Sequence, residues 1–370
     1  MHTPRIEVYN VTLSLTMIVK NEEGVLSRAL STAAAYADEI VIVDTGSTDK
    51  TVEVARRFTD KVYSLVWIDD FSAARTYAGS KSTCDYWMWL DADDIVTLEN
   101  AHKISRLKKT LDGIDIVMLP YVLETDDKGK PSFSYYRERI IRRGSGLIWQ
   151  GRVHEAVELR GNVVKRAPSV LHAKPAGREG GTRNLDIYKK MIADGETFTP
   201  RDLYYYAREL FFTGNISSAA ARFREFIDEK GGFNVNRIDA CVMLSRCLYM
   251  LGDTDNSVKA LFESFSYGFP TSEACCEIGL RFLSRNEYRT AIFWFERACS
   301  IKPDAESGAF VDAAYSGFNP FVWLTVCFDR LGDIKSAYKW HLRAKRLRPD
   351  HPSVIANDKY FSGILEKRSQ

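Results

Sequence analysis

The sequence predicts two domains of different class: an α/β domain on a mostly parallel sheet, then an all-α array of helical repeats. Three observations predict this. Up to about residue 170, short β-branched runs alternate with helical patterns, as right-handed βαβ units require. Beyond about residue 203 the pattern is helical throughout. Within that second half, a turn followed by a small residue recurs four times in phase. The expected boundaries are 1–175 for the α/β domain, 176–200 for a junction or lid with a linker helix, and 201–370 for the repeats. The Gly-rich stretch Pro175–Thr182 (PAGREGGT) marks the junction.

The elements follow in order. Leu13–Val19 (LSLTMIV) reads as the first strand, then Lys20-Asn21-Glu22-Glu23 leads into a helical stretch ending near Ala35. Glu39–Asp44 (EIVIVD) is the second strand, and a helix over Thr48–Phe58 follows, with Asp49 or Ser47 available to cap it. Val62–Trp67 reads as a third strand and Ser72–Lys81 as a helix. Tyr86–Leu90 (YWMWL) is apolar on both faces, as buried parallel strands are. Ile116–Leu123, Glu138–Arg142 and Ser169–Leu171 supply later strands, with room for an antiparallel one.

In the second half the turns are Gly214-Asn215, Gly252-Asp253, Asn286-Glu287 and Gly332-Asp333. Five residues after each turn's first residue stands Ala219, Ser257, Ala291 or Ala337, and nine after it stands Phe223, Leu261, Phe295 or His341. Pro303 and Pro349 close the last two units at one offset. A small residue is needed where two helices cross closely, and a large one fills the groove beside it. The pattern resembles degenerate tetratricopeptide repeats with insertions.

Composition narrows the function. Of the 370 residues, 45% are hydrophobic and 27% charged, an ordinary globular balance. A net charge of +2 gives no argument for nucleic acid or an anionic membrane surface. Seven cysteines are scattered without a C-x-x-C pair, suiting reduced, buried thiols and a cytoplasmic location. The first apolar run is too short for a membrane span and lacks a signal-peptide flank.

Asp91-Ala92-Asp93 carries the sharpest chemistry. Two carboxylates at i and i+2 after an apolar strand project into the crevice where α/β sheets bind ligands. Like charges crowded there are costly, and a hard divalent cation, Mg²⁺ or Mn²⁺, removes that cost while bringing in diphosphate oxygens. The alternative is a solvated acidic turn in which Asp94 caps a helix.

Asp44-Thr45-Gly46-Ser47-Thr48-Asp49-Lys50-Thr51 follows another strand and resembles the D-x-x-S-x-D-x-T motif of family 2 glycosyltransferases with the GT-A fold. The strand end Ile18-Val19-Lys20-Asn21-Glu22 and the D-x-D run are similar to that family in the same order, over roughly residues 11–175. The resemblance implies a nucleotide-sugar site that includes Lys20, Asn21, Glu22, Asp44, Ser47, Asp91, Ala92 and Asp93. In it Asp44 would read uracil or another base, Asp93 would ligate the metal, and Asp91 would lie near the ribose and the ion. Arg75, in Phe71-Ser72-Ala73-Ala74-Arg75, would reach phosphate or ribose, or else pair with a neighbouring acid. Trp149-Gln150-Gly151-Arg152-Val153-His154-Glu155 resembles the W-x-G-x-x-H-E run of one subgroup. An inverting transfer needs a base, for which Glu155 is the first choice and His154 the second. Trp149 would stack on sugar or acceptor, or serve as a core aromatic. His172 matches the place of a third metal ligand. Arg178 and Arg183 would fold over the diphosphate as a lid.

The layout is similar to bacterial enzymes that glycosylate bacteriocin peptides on Cys or Ser. It implies a UDP-sugar donor, UDP-glucose or UDP-N-acetylglucosamine, and a peptide or protein acceptor held by the repeats, which would also serve a homodimer. A basic helix face around Lys335, Lys339, Arg343, Lys345, Arg346 and Arg348 would receive an acidic partner or simply face water. Two alternatives remain open: transfer to a surface polysaccharide or lipid-linked glycan, and a non-catalytic repeat scaffold.

Overall fold

Strands buried on both faces arise where β-branched and aromatic residues run without charged interruption. β1 (Leu13–Val19) is such a strand and lies parallel to β2 (Glu39–Asp44), which lies parallel to β3 (Val62–Ser64) at the sheet edge. On the other side of β1 lies β4 (Tyr86–Leu90), parallel again and buried at every residue. Between them run α1 (Leu26–Leu30), α2 (Thr51–Ala55) and α3 (Phe71–Ser80), the last capped by Asp70, which accepts the Ala73 N–H at 2.9 Å. In this computed structural model, residues 11–125, 129, 131–173, 181–302 and 311–369 are described. The chain divides into two compact units, Met1–Thr197 and Phe198–Gln370.

After β4 come β5 (Asp94–Ile95), α4 (Leu98–Leu107), β6 (Ile116–Thr125) and β7 (Pro131–Arg142). β7 is antiparallel to both β4 and β6 and is inserted between them. A short hairpin, β8 (Trp149–Gln150) with β9 (Ala156–Val157), holds the W-x-G-x-x-H-E loop at its tip. β10 (Val163–Lys165) and β11 (Val170–His172) both run parallel to β6, and α5 (Arg183–Ala193) follows. The path across the sheet is β3-β2-β1-β4-β7-β6-β11-β5. One core under it is built from Leu13, Leu15, Met17, Met88, Leu90 and Val117, and a second from Trp87, Trp89, Ile116, Ile141 and Trp149.

The structure departs from the sequence reading at particular places. β3 ends at Ser64, three residues before the expected Trp67, because the chain then leaves the sheet. Val66 and Ile68 are exposed there, Asp69 has φ +60°, and the Phe71 N–H is drawn to the Arg152 carbonyl at 2.9 Å. The expected helix over 48–58 shrinks to α2, because Asp49 spends its carboxylate on Thr51 and on the Glu23 N–H. β7 is twelve residues long where five were expected.

The second unit is a run of antiparallel helix pairs: α6 (Pro200–Phe212) with α7 (Ile216–Asp228), α8 (Asn234–Met250) with α9 (Thr254–Glu263), α10 (Ser272–Ser284) with α11 (Tyr288–Ser300), and α12 (Phe318–Arg330) with α13 (Ile334–Leu347). α14 (Pro352–Ser369) covers the last pair. This is a tetratricopeptide-like array. Each pair turns through a left-handed residue, Gly214, Gly252, Asn286 or Gly332, with φ between +60° and +86°. Ala219, Ser257, Ala291 and Ala337 are fully buried behind those turns, as are Phe223, Leu261, Phe295 and His341. Pro303 lies outside the described residues.

Candidate active site

The carboxyl ends of β1 and β4, the β8–β9 hairpin and the start of α5 surround a cleft of about 700 Å³. Lys20, Asn21 and Glu22 line it from β1, and Asp91, Ala92 and Asp93 from β4. His154 and Glu155 line it from the hairpin, and His172 from β11. Arg75, on α3, lies among them. Residues scattered over more than 150 positions therefore converge because the parallel strands all end on one side.

Three of the expected residues stand elsewhere. Asp44 is only 7% exposed, and its carboxylate accepts the N–H groups of Gly46 at 3.1 Å and Ser47 at 3.2 Å. Ser47 in turn accepts the Asn21 N–H at 2.9 Å, and Asn21, at φ +55°, accepts the Thr48 N–H at 2.8 Å. Asp44 and Ser47 thus set the shape of the β1 and β2 ends, and neither is among the described lining residues. Trp149 is also absent from that lining; it is a core aromatic at 4% exposure, edge-on to Trp89 at 5.0 Å. Arg178 lies outside the described residues. Arg183 is on the cleft wall, with its guanidinium 4.7 Å over the Phe71 ring.

Asp91, Asp93 and the adjacent Asp94 have three separate fates. Asp91 pairs with Arg75 at 2.6 Å, and the same guanidinium binds Glu155 through Nε. Arg75 is 8% exposed and stacks over Trp89 at 4.5 Å, so it is a fixed clamp between strand end and hairpin, the acid-pairing alternative of the sequence reading. Asp94 is fully buried and pairs with the equally buried Arg139 at 2.9 Å, so it neither faces water nor caps a helix. Among the described residues no Lys or Arg pairs with Asp93. Burial first, and then the charges of Asp91 and Asp94, push its carboxyl above the usual aspartate range, while His172 works the other way.

His172 is brought beside these acids by register, since β11 pairs antiparallel with β5 and sets His172 opposite Asp94. The Ala173 N–H then bonds the Asp93 carbonyl at 2.9 Å. Ligand atoms of Asp93, Asp94 and His172 lie within 4.8 Å of one another. The Asp94 carboxylate first, and Asp93 after it, raise the imidazole's pKa against the opposing effect of burial. With Asp94 committed to Arg139, Asp93 and His172 supply a carboxylate and an imidazole, donors that fit a divalent cation, because a cation reverses the sign of the cost at Asp93.

Residues 14–149 match the family model described as Glycosyl transferase family 2. The N-terminal unit carries a family 2 glycosyltransferase domain. Its relatives include "TPR repeat-containing protein Synpcc7942_0270" of Synechococcus elongatus, 33% identical over 40% of this chain and 35% of that one. The SPbeta prophage-derived glycosyltransferase SunS of Bacillus subtilis is 28% identical over 64% of this chain and 58% of its own. The lipopolysaccharide core biosynthesis glycosyltransferase LpsC of Rhizobium meliloti is 28% identical over 57% and 81%. The chain spans about a third and just over half the length of the first two. Among the described residues no helix is long and apolar enough to cross a membrane.

Residues that motif reading missed also stand at or beside the cleft. Trp67 and Phe71 meet edge-to-face at 4.8 Å and form one wall of the cleft. Arg137 stacks on Trp89 at 4.9 Å and donates to the Glu155 carbonyl at 3.3 Å. Tyr121 bonds both Asp94 and His172 at 2.8 Å. One signal was present in the sequence: Arg137 and Arg139 alternate in a strand that otherwise heads into the core, and charges on a buried strand need partners.

Proposed function

We propose that the protein is a glycosyltransferase that moves a sugar from a UDP-sugar, UDP-glucose or UDP-N-acetylglucosamine, to a side chain of a peptide or protein. The observation that carries the reading is Asp93 with His172, at a strand end, in the cleft of a family 2 domain. Asp93 and His172 would hold Mg²⁺ or Mn²⁺. Bound there, the ion would stabilise the departing diphosphate as a Lewis acid. Lys20, at the carboxyl end of the neighbouring parallel strand β1, lines the same cleft and would meet the diphosphate's charge.

Transfer requires the acceptor oxygen or sulphur to attack the anomeric carbon as the bond to the diphosphate breaks. Glu155 takes the acceptor's proton in this reading. Glu155 lines the cleft, and Arg75 fixes the direction of its carboxylate, which is what a general base needs before its basicity matters. His154 supports a second assignment of that role, because a non-glycine residue at φ +52° on the cleft wall stores strain that functional sites often keep.

The helical unit supports the macromolecular acceptor. Its pairs leave a polar ladder along the first helices: Arg246 on α8 binds Glu273 and Glu277 on α10, and Arg208 on α6 binds Asp239 on α8. Stacked repeats of this kind suit an extended peptide. The likeness to LpsC favours a glycan acceptor as the second reading.

The test incubates the full chain with a panel of UDP-sugars and Mn²⁺ or Mg²⁺ and measures released UDP, followed by intact-mass analysis of candidate peptides. One donor should be turned over and Asp93→Ala should abolish turnover. Glu155→Gln should lower the transfer rate by about 10²–10⁴-fold with donor binding retained. Silence with every donor would refute the enzyme reading, and normal transfer by Glu155→Gln would move the base to His154.

A further inference from the structure

We infer that Tyr121, held by Asp94 and Arg139, decides which nitrogen of His172 is free to bind a cation, and that Asp94 serves this relay instead of ligating the ion. The inference rests on the metal reading above. It follows from counting protons along one chain of buried groups.

Asp94 is fully buried, and so is Arg139. Arg139 donates to Asp94 Oδ2 at 2.9 Å, and the Asp91 N–H donates to the same oxygen at 3.1 Å. A carboxylate bound in this way only accepts. Its other oxygen, Oδ1, lies 2.8 Å from the Tyr121 hydroxyl. Tyr121 has one proton to give, and the carboxylate claims it. The Tyr121 oxygen then turns a lone pair toward His172 Nδ1, also 2.8 Å away. Two lone pairs cannot face each other at that distance, so Nδ1 carries hydrogen. In the neutral ring Nε2 is then the bare nitrogen, and it is the only one that can ligate. Asp94 itself lies 3.6 Å from Nδ1, beyond hydrogen-bond length, so the tyrosine is the link.

The relay is rigid. The Arg139 guanidinium lies 3.8 Å over the Trp89 ring and 4.5 Å over that of Tyr121, so it holds the carboxylate and the phenol at once. It also donates to the Trp89 carbonyl at 3.1 Å. Tyr121 meets His172 edge-to-face at 5.7 Å and Tyr135 likewise at 5.7 Å, which fixes its ring plane. Every group in the relay except His172 is shielded from water, so solvent does not compete for these bonds. A histidine ligand whose second nitrogen donates to an oriented acceptor keeps its direction and tautomer. Asp93, with no guanidinium partner among the described residues, is then the carboxylate left for the ion.

The test has two arms on the full chain. The first labels histidine with ¹⁵N and reads the ring tautomer at a pH where the imidazole is neutral, with the His172 signal assigned by its loss in His172→Gln. The wild-type chain should show Nδ1–H, and Tyr121→Phe should shift the population toward Nε2–H. The second titrates Mn²⁺ by electron paramagnetic resonance in the presence of UDP. Tyr121→Phe should bind Mn²⁺ about 10–100-fold more weakly than wild type. A wild-type His172 that is protonated on Nε2 would overturn the relay, and the first arm reads this even if Tyr121→Phe does not fold. Wild-type affinity in a folded Tyr121→Phe would overturn it as well. Failure of the wild-type chain to bind Mn²⁺ with UDP would instead overturn the metal reading, and the relay's role with it.

Discussion

Removing the Arg75 guanidinium should separate a buried ion pair from an exposed one within a single side chain. Arg75 binds Glu155, whose side chain is 9% exposed, and Asp91, whose side chain is 36% exposed. In Arg75→Met the tryptophan-lined slot stays filled, but Glu155 loses its counter-charge in a place water hardly reaches. Breaking a buried pair from one side costs about 3–5 kcal/mol. The Asp91 half should add little, because exposed pairs are worth roughly 0–1 kcal/mol and this carboxylate can be rehydrated. An expected loss near 3 kcal/mol would lower the melting temperature of the first unit by roughly 6–12 °C.

The double-mutant cycle is the decisive assay. Glu155→Gln in the Arg75→Met background removes the stranded charge, so the double variant should be more stable than the sum of the single losses by about 2 kcal/mol. The same cycle with Asp91→Asn should give a coupling below about 1 kcal/mol. Calorimetry resolves the unit that melts, and urea unfolding followed by tryptophan fluorescence gives the energies. Equal coupling to the two acids would refute the reasoning, because it would mean that burial does not set the strength of this clamp.

Two further predictions concern folding. A Cβ at Gly279 would sit 2.6 Å from the Phe295 ring, which is fully buried where α10 crosses α11, so Gly279→Ala should destabilise the helical unit by about 1–3 kcal/mol. Gly363→Ala, in α14 with nothing near the new methyl, should instead be neutral or stabilising by up to about 1 kcal/mol; urea midpoints that move in the same direction would contradict this. Burial alone would raise the Glu39 carboxyl, but Lys61, Ser14 and Thr83 outweigh it and bring the pKa from 4.5 down to about 2. A depressed pKa gives stability that is complete above the unfolded value and lost as pH falls through the folded one, here between about pH 4.5 and pH 2. Because Lys61 is 42% exposed, solvent screening limits this contribution to about 2 kcal/mol. Glu39→Gln should flatten the stability profile in that window, and an unchanged slope would dismiss the linkage.

What was legible in the sequence was whatever a local pattern enforces. The turn residues of the repeats announce themselves because a left-handed backbone selects Gly or Asn, and the small residue five positions on is dictated by close helix crossing. β4 was legible because five apolar residues in a row admit one environment. The first seven residues of β7 were not, since Ser132, Ser134 and Arg137 break the apolar run and the strand is completed by partners distant in sequence. For the same reason Tyr121 carried no mark: its importance comes from lying opposite Tyr135 in one register and near β11 in another. The loop from Leu65 to Asp70 misled in the opposite direction, for Val66 and Ile68 look like strand residues and are exposed.

The D-x-D-D run shows why a motif names a place before it names a role. Asp91, Asp93 and Asp94 are chemically identical and nearly adjacent, yet their surroundings treat them differently. Arg75 comes to Asp91 from α3, and Arg139 comes to Asp94 from β7. Asp93 receives no guanidinium among the described residues, and burial first, then the charges of Asp91 and Asp94, raise its carboxyl's pKa while His172 opposes them. A carboxylate satisfied by arginine gains little from a metal, whereas one surrounded by like charge gains most. The division of labour was therefore decided by β7, an antiparallel strand set between parallel ones. Its register delivers Arg139 to Asp94 and leaves Asp93 without a guanidinium among the described residues.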